Sequence, residues 1–439
     1  MTPNWPRLIR LLAPVTVFAS VLAVLAAINS GGAASGERAA AASSPSSAFP
    51  ASTDGRLAQA RLAIRQDPSS ADAVAAYGTA CVQKARETGD PRGTWHARAA
   101  RAFRSALRRD PRHVDATIGL GTLALSAHDF SAGLTYGLRA RRLAPQLVRP
   151  YAVVVDAEIE LGRYRRAARS LQRMIDLKPN LASYARASYF RELHGDTEGA
   201  LEAMRLAVSA GGDAAEQVAY VQTLLGDLLL HTGRVEDARD AYQLALIRLP
   251  GYVDARFGLA RAQVQDGALA ASLAPLRRVV RDRPDPDHLL LLAEVELRLG
   301  MSAPARVHVE RARATERRAL RTGSRADAGV ALLEASYGRP ADAVEIARRV
   351  WDAAPSVTSA DALGYALTRA GRPEAGLRYA RIALRLGTRS PSFHYHAGMA
   401  ALGAGREGAA RRHLETALAL NPRFSPVDAP RARRALATL

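Results

Sequence analysis

The chain has 439 residues, a formal net charge of +19 and only 5% aromatic residues. Its single cysteine, Cys81, excludes an intramolecular disulfide and any metal site built from several thiolates. The positive charge is almost all arginine, Lys84 and Lys178 being the lysines, and aromatics are not interleaved with it. That pattern suits a solvated, compositionally biased surface better than a stripe that binds phosphates and stacks bases.

At the N-terminus, Arg7 and Arg10 precede an uncharged apolar run, Leu11 to Ile28. It has the make-up of a translocon signal, and its length lies between a signal peptide and a spanning helix of about 20 residues. We expect residues 1–28 to be a retained anchor, with the basic end in the cytoplasm and everything after it outside the cell membrane. Cleavage and secretion is the alternative. Residues 29–55, rich in Ala, Ser and Gly, read as a flexible linker.

From about residue 56 a period of 34 governs the chain. Proline closes a run of small and apolar residues at Pro111, Pro145, Pro179, Pro250, Pro284, Pro355 and Pro422. The longer gaps hold two units, one of which lacks its proline. Within one unit, Leu225, Gly226 and Leu229 fall on one face of a first helix and Gly233 breaks it. Ala238, Tyr242 and Ala245 then mark the apolar stripe of a second helix, which Pro250 stops. The small residues allow close helix approach, and Leu225 and Tyr242 fill the space between pairs. One such pair cannot bury its apolar face alone, so the units must stack.

The pattern resembles the tetratricopeptide repeat, whose units carry Leu-Gly, Tyr, Ala and Pro at fixed offsets. Leu120, Gly121, Gly133, Tyr136, Ala140 and Pro145 occupy those slots in one unit, and Gly162, Ala167, Leu171, Met174 and Pro179 in the next. Gly267, Leu276 and Pro284, then Gly338, Ala343, Ala347 and Pro355, then Gly398, Gly405, Ala410, Leu414, Ala417 and Pro422 repeat the scheme. The resemblance implies an all-α fold, a right-handed superhelical solenoid of about ten helix pairs over residues 56–424, with a polar capping helix at 425–439. Extra residues around TGDPRGTWH imply a longer loop in the first unit, and RATERRALRTG a lengthened second helix.

No catalytic constellation is legible. His394 and His396 are two apart, which points their rings to different sides of a helix. His194 and His231 end first helices, where imidazole suits the helix dipole. Asp282, Asp285 and Asp287 lack the glycine and glutamate of a calcium loop and read as a turn. Arg108, Arg109, Arg141, Arg142, Arg248 and Arg281 sit late in second helices, where they complement the negative helix end. We expect no enzyme, no cofactor, no metal and no small-molecule substrate.

Proteins similar to this one hold partner segments on the concave face, which the first helices line. Counted from the repeat anchors, Asp115, Thr122, Arg149, Asp156, Tyr220, Asp227, Asp254, Phe257, Arg261, Tyr395 and Met399 face inward. The basic and asparagine positions of the family's carboxylate clamp are not reproduced there. The resulting expectation is a non-enzymatic scaffold, exported or membrane-tethered, that binds a protein or peptide partner in this groove. The alternative is a cytoplasmic regulator that binds nucleic acid, or an enzyme acting on it, through the arginine surface.

Overall fold

The computed structural model describes residues 52–88 and 93–439. The apolar run at 11–28, the linker up to residue 51 and the tip of the first interhelical loop lie outside the described residues. Among the described residues there are 22 helices and no strand. Helix α1 (Thr53–Gln66) starts inside the expected linker, because Ser52 caps it by accepting from the Gly55 amide at 3.1 Å.

Ten antiparallel pairs follow. They are α2 (Ala71–Glu87) with α3 (Thr94–Arg109), α4 (Val114–Ser126) with α5 (Phe130–Leu143), α6 (Val148–Glu160) with α7 (Tyr164–Leu177), and α8 (Leu181–Leu193) with α9 (Thr197–Ser209). Next come α10 (Ala215–His231) with α11 (Val235–Arg248), α12 (Val253–Gln265) with α13 (Leu269–Asp282), and α14 (Pro286–Arg298) with α15 (Ser302–Arg321). The last are α16 (Ala328–Tyr337) with α17 (Pro340–Ala353), α18 (Val357–Arg369) with α19 (Pro373–Ala383), and α20 (Pro391–Gly403) with α21 (Glu407–Leu420), and α22 (Asp428–Ala437) ends the chain. The long run before Gly323 is helical throughout, making α15 the longest of the described helices at 20 residues.

The packing rule is visible at Tyr242. Its ring is fully buried between Gly226 on α10 and Gly258 on α12, and a methyl group at either glycine would overlap it. Phe103 sits in the same way between Gly78 and Gly119. A large second-helix aromatic thus fills a slot cut by two first-helix glycines, one from its own unit and one from the next, which locks neighbouring units in register. Cys81 is a buried core thiol, and burial pushes its pKa up.

The turn between paired helices repeatedly needs one residue in the left-handed region. Gly162, Gly195, Gly233, Gly267, Gly300, Gly371 and Gly405 supply it. In the α4–α5 turn His128 takes that conformation at φ 57°, with its ring edge-on to Phe130 and Nε2 3.5 Å from Asp327.

These turns also build the long-range structure. The Arg325 amide donates to the Ala127 carbonyl at 2.9 Å and its guanidinium to Asp129 at 2.7 Å, a separation of 196 residues. The Val357 amide donates to the Tyr164 hydroxyl at 2.8 Å, 193 residues away. Asn421 Nδ2 donates to the Leu230 carbonyl at 2.9 Å, 191 residues away, and Arg423 donates to the Gln265 carbonyl at 2.7 Å. Separations of 158 to 196 residues along a stack of equal units mean that the stack has come round on itself, after roughly five to six units. Apolar packing crosses the same junction, because Val357, Ala360, Ala383 and Phe393 share one core with Val155, Tyr164 and Phe190. Residues 421–423, at the end of the last pair, seat on an earlier turn of the superhelix, and the expected capping helix follows as α22, with Ala429 and Ala432 buried against the stack.

Candidate functional site: the inner wall

First helices line the inner wall, and their polar residues pair from one first helix to the next. Asp115 on α4 pairs with Arg149 on α6. Asp156 on α6 accepts two bonds from Arg186 on α8, from Nε at 2.8 Å and Nη2 at 2.7 Å, and both side chains are 0% exposed. Asp227 on α10 accepts from Arg261 on α12 at 2.6 Å and from the Tyr242 hydroxyl at 2.7 Å. Asp254 on α12 pairs with Arg283, which also holds Asp285 at 2.6 Å. Further along, Tyr337 donates to Glu294 at 2.9 Å, and His396 Nδ1 lies 2.9 Å from the Asp361 carboxylate.

Such a wall costs desolvation, and the acids register it. Burial raises Asp156 to about 6 even against the pull of Arg186, Glu294 to about 7, and Glu160 to about 8. Glu160 accepts from the Tyr189 hydroxyl at 3.4 Å. Burial raises Asp227 as well, with Arg261 opposing. His231 is pulled down to about 3 by burial, and burial also lowers His194. Both are therefore neutral at physiological pH. This corrects the expectation that they complement the helix dipole, because the desolvation cost of an imidazolium there exceeds a terminal dipole gain of less than about 2 kcal/mol. His396 goes the other way: burial lowers it, but the Asp361 carboxylate outweighs that and raises it.

The structure brings Asp227, Phe257 and Arg261 together, with the Arg261 guanidinium carbon 5.8 Å from the Phe257 ring centre. Tyr220 and Asp254 belong to the same stretch of α10 and α12 and feel one another electrostatically. Asp115 remains half exposed. Three expected groove positions are corrected by burial. Asp156, Thr122 and Tyr395 are closed in, the first by its ion pair, the second by a hydrogen bond to the Ile118 carbonyl, and the third by packing in an apolar core. Met399 packs at the edge of that same core.

Sequence reasoning missed Arg186, Arg283, Glu160, Glu294 and the Asp361–His396 pair. A signal was present: acid and base recur about one period apart, at 34 residues for Asp115 and Arg149, 30 for Asp156 and Arg186, and 34 for Asp227 and Arg261. The separate sides expected for His394 and His396 are observed, His394 meeting His413 Nδ1 at 3.1 Å on the partner helix of its own pair. Asp282 pairs with Arg256 and Asp285 with Arg283, so this turn is held by ion pairs.

The profile of the tetratricopeptide repeat matches residues 96–148, 155–215, 213–253, 223–288 and 362–423, more than half of the chain. The chain belongs to the tetratricopeptide repeat family. It is a helical-repeat scaffold. No curated protein matches it. Solved structures similar to it include a thermophilic tetratricopeptide repeat protein of Thermus thermophilus, at 19% identity over 44% of this chain and 100% of that one, with a TM-score of 0.39. Yeast Tom70 is similar at 11% identity over 82% and 96%, with a TM-score of 0.37. A human IFIT1 dimer with m7Gppp-AAAA is similar at 15% identity over 75% and 76%, with a TM-score of 0.47. Among the described residues no helix is long and apolar enough to cross a membrane.

Proposed function

We propose that this tetratricopeptide repeat protein is a non-enzymatic scaffold, carried outside the cytoplasm by its N-terminal apolar segment, that captures a segment of a partner protein on its inner wall at α10 and α12. The observation that carries this reading is the cluster of Tyr220, Phe257 and Arg261 on one stretch of wall, beside the carboxylates of Asp227 and Asp254. Aromatic and arginine side chains dominate binding energy where they can be desolvated together. The internal Asp227–Arg261 and Asp254–Arg283 pairs give a partner's own charges something to exchange with, at little net cost, because each side chain keeps an ionic partner.

The test is capture of partners from native membranes by the full-length protein, before and after replacing Tyr220, Phe257 and Arg261 with Ala. Capture should weaken at least about tenfold, the equivalent of roughly 1.4 kcal/mol. Because Arg261 holds Asp227, some loss of melting temperature is expected too, so Tyr220→Ala with Phe257→Ala is the cleaner comparison. Undiminished capture by both variants would remove the inner wall from consideration. A topology reporter fused after residue 50 tests the location: an extracytoplasmic signal supports export, and a cytoplasmic one rejects it.

A further inference from the structure

Where two turns of the superhelix meet, they border an open cleft of roughly 890 Å³ lined by Gly162, Arg163, Tyr164, Arg165, Arg166, Phe190, His194, Arg385 and Leu386. One wall is the α6–α7 turn and the start of α7, and the other is the segment that follows α19, more than 200 residues later in the chain. We propose that this cleft binds a small phosphate-bearing ligand with a flat ring, of the nucleoside polyphosphate type, the phosphates on the four arginines and the ring on the apolar floor.

Four arginines, Arg163, Arg165, Arg166 and Arg385, line a single concavity, and among the described residues none of them forms an ion pair with a carboxylate. Glu158, the acid on α6 whose charge Arg163 and Arg166 favour, is turned inward to the Ser170 hydroxyl at 2.7 Å. Arg385 lies over Tyr164, its guanidinium carbon 5.7 Å from the ring centre. Planar guanidinium forks match phosphate oxygens two bonds at a time, which is why such a set favours phosphates over isolated carboxylates.

The floor is aromatic. Phe190 and His194 stack with centres 4.2 Å apart at 29°, and Tyr164 meets His194 edge-on at 5.9 Å. Burial keeps the His194 ring neutral, so the floor offers an apolar face under a cationic rim. Size also favours a small ligand, because the cleft falls within the usual range of small-molecule sites. Since the two walls belong to different turns, an occupant would tie them together.

Isothermal titration of the full-length protein with ATP and with sodium tripolyphosphate, at physiological salt, tests the proposal. Both should bind at sub-millimolar concentration or better, ATP at least about fivefold more tightly because its ring adds to the phosphates. The double variant Arg165→Ala, Arg385→Ala should lose at least tenfold in affinity for both. Arg108→Ala with Arg109→Ala removes the same charge from an exposed helix end and should lose less than twofold. No heat from either probe at millimolar concentration would overturn the proposal, as would equal losses in the two double variants. Equal affinity for ATP and tripolyphosphate would overturn the assignment of the floor to a ring.

Discussion

Glu160 shows how far a single residue can depart from what its type suggests. In the sequence it is one more helical glutamate near a turn; in the structure it is buried beside Tyr189, and burial lifts its pKa to about 8 from 4.5. The folded protein then holds a proton that the unfolded chain releases anywhere between those values. Its contribution to stability is complete below the unfolded value and is lost as pH rises toward 8. The buried neutral histidines act oppositely, but only below 6.5; between pH 6.5 and 8 Glu192 and His396, also raised, add to the fall, so the comparison with Glu160→Gln isolates the Glu160 part. Thermal unfolding should show stability falling across that window, and Glu160→Gln should flatten the fall by about 1 to 2 kcal/mol. A pH profile identical to the parent's would mean that Glu160 is ionised in the native protein. Nothing in the sequence announces this, because burial of an acid depends on what stacks above it. Asp156 was misjudged for the same reason: its inward-facing position was legible, but the closing of Arg186 over it was not.

Among the helices, legibility was higher because it rests on spacing. The 34-residue period, the glycine turns and the proline stops place ten pairs where the structure has them, and the expected role of Tyr242 between pairs is seen directly. The sequence did not reveal that Gly226 and Gly258 form the two sides of one slot, since each reads as a small residue in its own helix. The slot has no slack, because the Tyr242 hydroxyl is also tied to Asp227 at 2.7 Å. Gly258→Ala must therefore displace a held ring, and should cost about 1 to 3 kcal/mol in a denaturant titration. Gly408→Ala, on α21 with no atom nearer than Arg412 at 3.7 Å, should be neutral or slightly stabilising through helix propensity. Comparable effects of the two substitutions would contradict the slot and the register it sets. The same spacing argument explains the missed ion pairs of the inner wall. Acid and base one period apart are visible once the first helices are known to stand side by side, and look like scattered charge before that.

At the scale of the whole molecule the decisive contacts join residues 158 to 196 apart, and no local pattern encodes them. They arise because small rotations between units add up until the stack meets itself. Gly162 marks one such meeting: it has a left-handed φ of 66°, and a side chain there would run into the Pro355 carbonyl. Closure explains why Asn421 and Arg423 seat on Leu230 and Gln265, and why an arginine-lined cleft exists between turns. It also means that a partner segment reaching the inner wall must pass junctions held by hydrogen bonds, an ion pair and shared apolar packing.

That closure is the central claim, and cross-linking across one junction tests it most directly. Ala127→Cys and Arg325→Cys place thiols on residues whose backbones are hydrogen-bonded at 2.9 Å, and Cys81, buried and of raised pKa, is a slow competitor. In the full-length protein a short bismaleimide should join the two introduced thiols within one chain, quickly and nearly completely, and a denatured sample should not react in this way. An intramolecular cross-link no faster in the native protein than in the denatured one would show that the turns do not touch, and the closed superhelix would have to be given up.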